Sequence, residues 1–208
     1  MDFKKSDAVI RDMNKRNIRA FDRLKTLKFD ELNVLRSVTK VYDDAVRIAK
    51  LRYQQLAYDA YLAALIEAGV RDKRAKKEAE EELWDLFVLD LLEETNETTL
   101  YSFDHEIDRK RDRLIEALAV AHNKSEEIEK ALRYLSAQLA QYADEVVVAA
   151  TIKGYEDAGI KRVKWVTMED NRVCAVCEER DGRIYDIDKV PDRAHWNCRC
   201  VLIPIKTR

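Results

Sequence analysis

The sequence predicts a mainly α-helical protein, an elongated bundle of long helices followed by a small β-rich module at the C-terminus. Only four Gly and two Pro occur among 208 residues, and both prolines, Pro191 and Pro204, lie near the end. Because proline is the strongest helix breaker, the first 190 residues can form long uninterrupted helices. Charged residues make up 38 % of the chain and apolar residues 47 %. This balance is too apolar for intrinsic disorder and too charged for a membrane-spanning bundle.

Two helices are predicted in the first third of the chain. Residues 1–28 carry a loose amphipathic pattern. Asp30 is a candidate N-cap for a longer helix, in which apolar residues recur every three or four positions as far as Ala68. Gly69 follows as a C-cap that ends this helix.

Two further helices are predicted in the middle of the chain. One covers residues 71–92, with a charged and solvated first half and an apolar, packed second half. Residues 94–99 are polar and rich in cap formers, so they predict a break. A helix over 103–120 follows that break.

The clearest helical periodicity follows Asn123 and Glu126, which have the spacing of a capping pair. Apolar residues then alternate in steps of four and three, at Ile128, Leu132, Leu135, Leu139, Tyr142 and Val146. This single stripe predicts a helix that packs inside a bundle, since a coiled-coil seam needs more heptads. The helix is expected to stop near Gly159.

The pattern changes beyond Gly159 to short alternating segments around Val163, Tyr185 and Ile203, which are typical of strands. We therefore expect a helical body over residues 1–160 and a separate module over 161–208. The module is mildly basic, with 11 Lys or Arg against 8 Asp or Glu, although the whole chain has a net charge of -2.

All four cysteines lie in the last 35 residues, and the chain start shows no secretory signal. Cys174-x2-Cys177 followed by His195-x2-Cys198 supplies the four ligands that tetrahedral zinc prefers, which leaves no open position for catalysis. Cys200 is the alternative to Cys198, because side chains two apart on a strand share a face. Reduced cysteines packed in a small core, without metal, are the competing interpretation. Trp165 and Trp196 flank the ligands and are expected to form a small core beside the metal. A surface that stacks on nucleic acid or binds a partner is the alternative role for these two rings.

The same segment carries a family resemblance. In order it contains Trp165, Asp170, Arg172-Val173-Cys174-x2-Cys177, Asp181-Gly182, Pro191, His195-x-Asn197-Cys198-Arg199-Cys200 and Leu202-Ile203-Pro204. This order resembles the C-terminal domain of the phage Mu F-like minor head proteins, also called phage head morphogenesis proteins. The resemblance covers about Gly154 to Ile205, with Trp196 where members often have Pro.

The resemblance implies a minor structural protein of a tailed-phage head, without enzymatic activity. Its implied partners are the portal protein and a major capsid or scaffold protein. Its implied place is the head interior near the portal, reached from the host cytoplasm during procapsid assembly. It also implies that Cys174, Cys177, His195 and Cys198 ligate the metal and that Asp170, Gly182 and Asn197 form turns. Non-specific contact of the basic module with packaged DNA is a further expectation.

Two other functions fit parts of the sequence. His195-x-Asn197 has a superficial likeness to metal-finger nucleases or toxins, but a second catalytic His near a knuckle is lacking. A zinc-ribbon adaptor that binds nucleic acid or protein is the other alternative. With four glycines in the chain there is no Walker A loop, no dinucleotide fingerprint and no nucleophile elbow. Neither does any apolar run reach the length of a membrane span.

Overall fold

The computed structural model describes residues 3–27, 30–93, 102–168, 173–194, 198 and 200–206. These residues form the mainly α-helical fold that the sequence predicts, with a small C-terminal sheet. The helices are α1 (Phe3–Lys25), α2 (Glu31–Ala68), α3 (Asp72–Glu81), α4 (Trp84–Glu93), α5 (Phe103–Val120), α6 (Lys124–Asp157) and α7 (Ala175–Arg180). The strands are β1 (Arg162–Val166), β2 (Ile184–Asp186) and β3 (Val201–Pro204). Within this described part, no helix has both the length and the apolar character needed to cross a membrane.

The longest helix, α2, begins and ends at the predicted caps. The Asp30 carboxylate accepts a hydrogen bond from the backbone N–H of Asn33 at 3.0 Å, so it satisfies one of the free donors of the first turn. Gly69 has a φ of +104°, which side-chain-bearing residues rarely adopt. The backbone N–H of Val70 then reaches back to the carbonyl of Leu65 at 2.9 Å and closes the helix end.

The second long helix, α6, follows the same rules. The Asn123 side-chain oxygen accepts the backbone N–H of Glu126 at 3.2 Å, which confirms the predicted cap. At the other end Gly159 has a φ of +79°, and the N–H of Ile160 donates to the carbonyl of Tyr155 at 2.9 Å. The helix therefore stops where the sequence predicts.

The single helix expected over 71–92 is wrong, because this segment forms the two helices α3 and α4. The break lies at Glu82, which has extended backbone angles (φ −77°, ψ 143°) without a Gly or Pro beside it. The Glu82 carboxylate pairs with Lys153 Nζ at 3.2 Å, a tertiary contact that local periodicity does not encode. The predicted break at 94–99 lies outside the described residues.

The chain divides into two compact units. The first, called here the helical unit, comprises Lys4–Gln54 and Trp84–Ala143. The second, the cysteine unit, comprises Gln55–Leu83 and Asp144–Arg208 with the first three residues. Both α2 and α6 contribute to each unit. A boundary near residue 160 stays a prediction about which part of the chain folds independently.

Aromatic side chains form much of the core of the helical unit. The ring centroid of Phe103 lies 4.7 Å from that of Tyr142 and 6.3 Å from that of Tyr53. The Tyr53 hydroxyl is buried and donates to the carbonyl of Leu139 at 2.7 Å. The part of the α6 stripe in this unit supplies the buried residues Ile128, Leu135, Leu139 and Tyr142. The stripe therefore packs in the protein's own core, as predicted.

The three strands of the cysteine unit form an antiparallel sheet in the order β2-β1-β3. Val163 on the central strand lies opposite Tyr185 on one side and Pro204 on the other, and Trp165 lies opposite Leu202. Val163 and Trp165 are buried, whereas the alternate positions of β1 are exposed or half-buried. This two-residue alternation gives the sheet one face toward a core.

Two contacts fix the sheet and helices of the cysteine unit. The Tyr155 hydroxyl on α6 lies 2.8 Å from the carboxylate of Glu67 on α2 and 3.2 Å from the carbonyl oxygen of Leu202 on β3. Gly154 precedes it, and a Cβ at this position would lie only 2.8 Å from the Cβ of Ala64. The absence of a side chain at Gly154 therefore lets α2 and α6 approach closely within this unit.

Candidate metal centre

The Cys-x2-Cys motif forms the start of the short helix α7, which the sequence analysis did not predict. Cys174 is the N-cap residue, and its Sγ accepts a hydrogen bond from the backbone N–H of Cys177 at 3.3 Å. A sulfur acceptor here satisfies one of the free N–H groups at the helix start. The turn carries the buried Cys177 into the core and leaves Cys174 half-buried beside it.

The second pair of cysteines comes to the same place from the other end of the module. Cys198 and Cys200 are both buried, and Cys200 directly precedes β3. The sulfur atoms of Cys177 and Cys198 are 3.5 Å apart, and those of Cys177, Cys198 and Cys200 all lie within 4.8 Å of one another. None of the four cysteines forms a disulfide.

The three buried cysteines have the chemistry and spacing of a metal site. Zinc–sulfur bonds of about 2.3 Å in tetrahedral geometry place neighbouring sulfur atoms about 3.8 Å apart. The separation of 3.5 Å between the Cys177 and Cys198 sulfur atoms is close to that value, and no separation in the cluster exceeds 4.8 Å. Thiolates are also the ligands that favour zinc over magnesium or calcium. The cluster can therefore hold a metal ion, and zinc fits its donor set.

The electrostatics of the cluster favour neutral thiols unless a cation is bound. Burial is the largest cause that raises the pKa of Cys177, and hydrogen bonds with the neighbouring cysteine thiols raise it further. Burial also raises the pKa of Cys200. A divalent cation reverses this preference, because it stabilises the thiolates it coordinates. Metal binding would then release protons and depend on pH.

Trp165 belongs to the core beside the cysteines, as the sequence analysis expects. Its indole ring is buried and meets Tyr185 edge-on, with the ring centroids 6.4 Å apart. The guanidinium of Arg180 covers the ring, 5.2 Å from its centroid. This ring therefore contributes packing and is not an open platform for stacking.

Several basic side chains of the module bind within the module itself. Arg180 Nη1 donates to the backbone carbonyl of Asp192 at 2.6 Å, and Arg193 Nη1 donates to the backbone carbonyl of Cys198. Arg183 pairs with Glu179 at 2.8 Å. These three guanidinium groups therefore have partners inside the module.

The structure brings the predicted ligands Cys177 and Cys198 together with Cys200 in one cluster. Cys174 lies beside it, where its sulfur accepts the backbone N–H of Cys177. The spacing alone leaves Cys198 and Cys200 as alternative ligands, whereas both are buried in one cluster with Cys177. His195 lies outside the described residues, as do Asp170, Trp196 and Asn197. Gly182 has a φ of +74° and occupies the turn predicted for it. The complete ligand set stays a prediction.

A comparison with known families gives a match. The family model described as phage Mu protein F like protein matches residues 111–203, from within α5 into β3. The match includes the cysteine motifs and extends further toward the N-terminus than the segment from Gly154 to Ile205 that carries the sequence resemblance. Comparisons with curated proteins and with solved structures give no match. Residues 111–203 of this chain are therefore similar to the phage Mu protein F like family.

Proposed function

We propose that this protein is a minor structural component of a tailed-phage head, which joins the portal during procapsid assembly. The single observation that carries the proposal is the family match over residues 111–203. The family implies a phage head morphogenesis protein, and therefore a place in the virion. The portal as partner, and a major capsid or scaffold protein as a second partner, are the finer parts of the proposal.

The portal contact is assigned to the exposed side of α2. Leu32 and Leu35 lie three positions apart, so they share a side of the helix, and they are 55 % and 50 % exposed. The apolar stripe of α6 is already buried in the protein's own core. Exposed leucines at helical spacing are suited to pack against a helix of a partner.

The cysteine module has a structural role in this proposal. We expect a zinc ion to cross-link two segments of the module. Its predicted ligands are Cys174, Cys177, His195 and either Cys198 or Cys200. A closed four-ligand site has no exchangeable water, so no hydrolytic activity is proposed. Contact with packaged DNA would involve phosphates alone and would be sensitive to salt.

Coexpression with the portal protein of the same genome tests the proposal. The tagged portal should retain the full-length chain through purification in moderate salt. Salt screens surface ion pairs but does not weaken apolar contacts. The protein should also be present in purified precursor heads and virions. Absence from both particles, together with failure to copurify, would refute the proposal.

A pair of matched double variants tests the proposed surface. Replacing Leu32 and Leu35 by Ser should abolish copurification with the portal. Leu86 and Leu89 on α4 are also exposed and three positions apart, so their replacement by Ser is the control. The control should still copurify. Equal losses in both variants would contradict the assignment to α2.

The absence of hydrolytic activity has its own test. Plasmid DNA incubated with the purified protein and Mg²⁺ or Mn²⁺ should remain intact. Cleavage that disappears in His195→Ala would instead favour the metal-dependent nuclease.

A further inference from the structure

The sheet of the cysteine unit buries one face and exposes the other. On the exposed face, Lys164 on β1 lies between Ile184 on β2 and Ile203 on β3, because directly opposite residues of an antiparallel sheet point to the same side. The two isoleucines are 54 % and 42 % exposed. Together with the aliphatic stem of the lysine they form a small apolar surface. This surface, with Arg162 of β1, is called here the outer sheet face.

The outer sheet face also carries positive charge. Arg162 and Lys164 are two positions apart on β1, so both side chains lie on this face, about 7 Å apart along the strand. Within the residues that the structure describes, neither cation forms an ion pair. Asp186 also lies on this face, opposite Arg162, and its carboxylate pairs with Lys189 at 3.6 Å. The face therefore suits a partner that carries both apolar side chains and carboxylates.

Helix α4 of the helical unit has a face of complementary chemistry. Its members follow the spacing i, i+3, i+4 and i+7 of one helix side, and all of them are exposed: Leu86, Leu89, Asp90 and Glu93. The two carboxylates form no ion pair in the described part of the chain. No Lys or Arg occurs from residue 78 to residue 108, so the surroundings in the sequence add no positive charge. These residues are called here the acidic α4 face.

We propose that the acidic α4 face of one copy of this chain packs on the outer sheet face of a second copy. Leu86 and Leu89 cover the exposed isoleucines, and the two carboxylates of α4 meet the two cations of β1. Burial of the apolar side chains stabilises the contact, whereas the opposite charges set its orientation and speed its formation. The inference goes beyond the proposed function and depends on neither the portal nor DNA.

The proposed contact joins two different surfaces, so it is heterologous. Each copy that uses its acidic α4 face still offers its outer sheet face, and association therefore continues into short chains or closes into a ring. Both faces are small, and small interfaces of this kind are weak and transient. We therefore expect reversible self-association that increases with protein concentration.

Sedimentation equilibrium of the full-length protein, purified without chelator, tests the self-association. The average mass should rise with protein concentration and exceed that of two copies. The rise should be smaller at high salt, because salt screens the exposed charges of both faces. A mass of one chain at every concentration would overturn the proposal.

An exchange of charges between the two faces tests which surfaces meet. The double variants Arg162→Glu/Lys164→Glu and Asp90→Lys/Glu93→Lys should each self-associate at least about 10-fold more weakly, because like charges then face each other. An equal mixture of the two should recover the wild-type mass. The acidic sheet of the first variant then meets the basic α4 of the second, and their unchanged faces also match. A mixture that fails to recover would overturn the proposal, and circular dichroism checks that both variants are folded.

A matched control separates the outer sheet face from net charge. Lys73 and Lys76 on α3 are exposed, and Lys73→Glu/Lys76→Glu changes the net charge by the same amount as Arg162→Glu/Lys164→Glu. The control should associate as the wild type does. An equal loss in both would overturn the assignment to the sheet. So would a monomeric wild type whose binding to duplex DNA is weakened by Arg162→Glu/Lys164→Glu, because this face would then contact phosphates.

The double variant Leu86→Ser/Leu89→Ser keeps this test apart from the portal test. It should self-associate at least about 10-fold more weakly, because the apolar part of the contact is lost. It should still copurify with the portal, as the control for the α2 surface. Unchanged self-association in this variant would overturn the role of α4, whatever the portal experiment gives.

Discussion

The two units of this protein hold their cores together in different ways. The helical unit buries large side chains, among them Phe21, Tyr42, Tyr53 and Phe103, between long helices. In the cysteine unit the sheet has strands of only five, three and four residues, and three of the buried side chains beside it are cysteines. Burial of apolar surface stabilises the helical unit by about 25 cal/mol for each Å² removed from water. A short sheet with small thiols gains less from burial and needs a cross-link.

Metal removal should therefore produce the largest difference in stability between the two units. Apparent binding energies of about 10–16 kcal/mol are typical for structural zinc, so chelation should disorder residues 161–206. Most helical structure should persist, because the helical unit contains no cysteine. Hydrogen exchange measured by mass spectrometry should rise in the sheet and α7 and remain low in α5 and the first half of α6.

The variant Cys174→Ser provides the same test without a chelator. Far-ultraviolet circular dichroism should fall only slightly, while protease sensitivity should rise after about residue 160. Global unfolding would contradict the predicted boundary and show that residues 1–160 do not fold without the module.

The same contrast explains which features the sequence could predict. Helix ends at Asp30, Gly69 and Gly159 depend on local backbone chemistry, so the local sequence predicts them correctly. The break at Glu82 has no Gly or Pro beside it, and the Glu82 carboxylate pairs with Lys153, which is distant in the chain. Local patterns could not indicate it.

The candidate metal site was predictable only in part. The Cys-x2-Cys spacing identifies a knuckle, and the match of residues 111–203 supports the family assignment. Whether Cys198 or Cys200 points into the core depends on how the chain enters β3, which spacing alone leaves open. Their common burial beside Cys177 and Trp165 is information from tertiary structure.

A core truncation in the helical unit should have the next largest effect. Leu135 is fully buried on α6, and Leu135→Ala should lower the free energy of unfolding by about 2–5 kcal/mol. Leu86→Ala on the exposed side of α4 is the control and should change it by less than about 0.5 kcal/mol. Urea denaturation measures both. Zinc content should remain unchanged, and its loss would show that the metal site depends on the helical core.

Tyr155→Phe should have a smaller effect, confined to the cysteine unit. It removes the hydroxyl that lies between Glu67 and the carbonyl of Leu202, at a cost of about 1–3 kcal/mol. Burial, and then the Glu67 carboxylate, raise the pKa of Tyr155, so the hydroxyl stays a donor at neutral pH. Tyr134→Phe, at an exposed position, is the control. If Tyr155→Phe left the protection of β3 from hydrogen exchange unchanged, the Tyr155 hydroxyl would not contribute to the stability of this strand.

The smallest expected effect comes from the cap of α2 in the helical unit. Asp30→Ala removes the acceptor for the Asn33 N–H and should lower the free energy of unfolding by about 1 kcal/mol. Asp30→Asn keeps an acceptor at the same place and should be nearly neutral, which makes it the matched control. Thermal denaturation of the three proteins measures the difference, and zinc titration should give the same affinity for all of them. A weaker zinc affinity in Asp30→Ala alone would contradict the independence of the two units. It would show that the loss of a helix cap in the helical unit also changes metal binding by the cysteines.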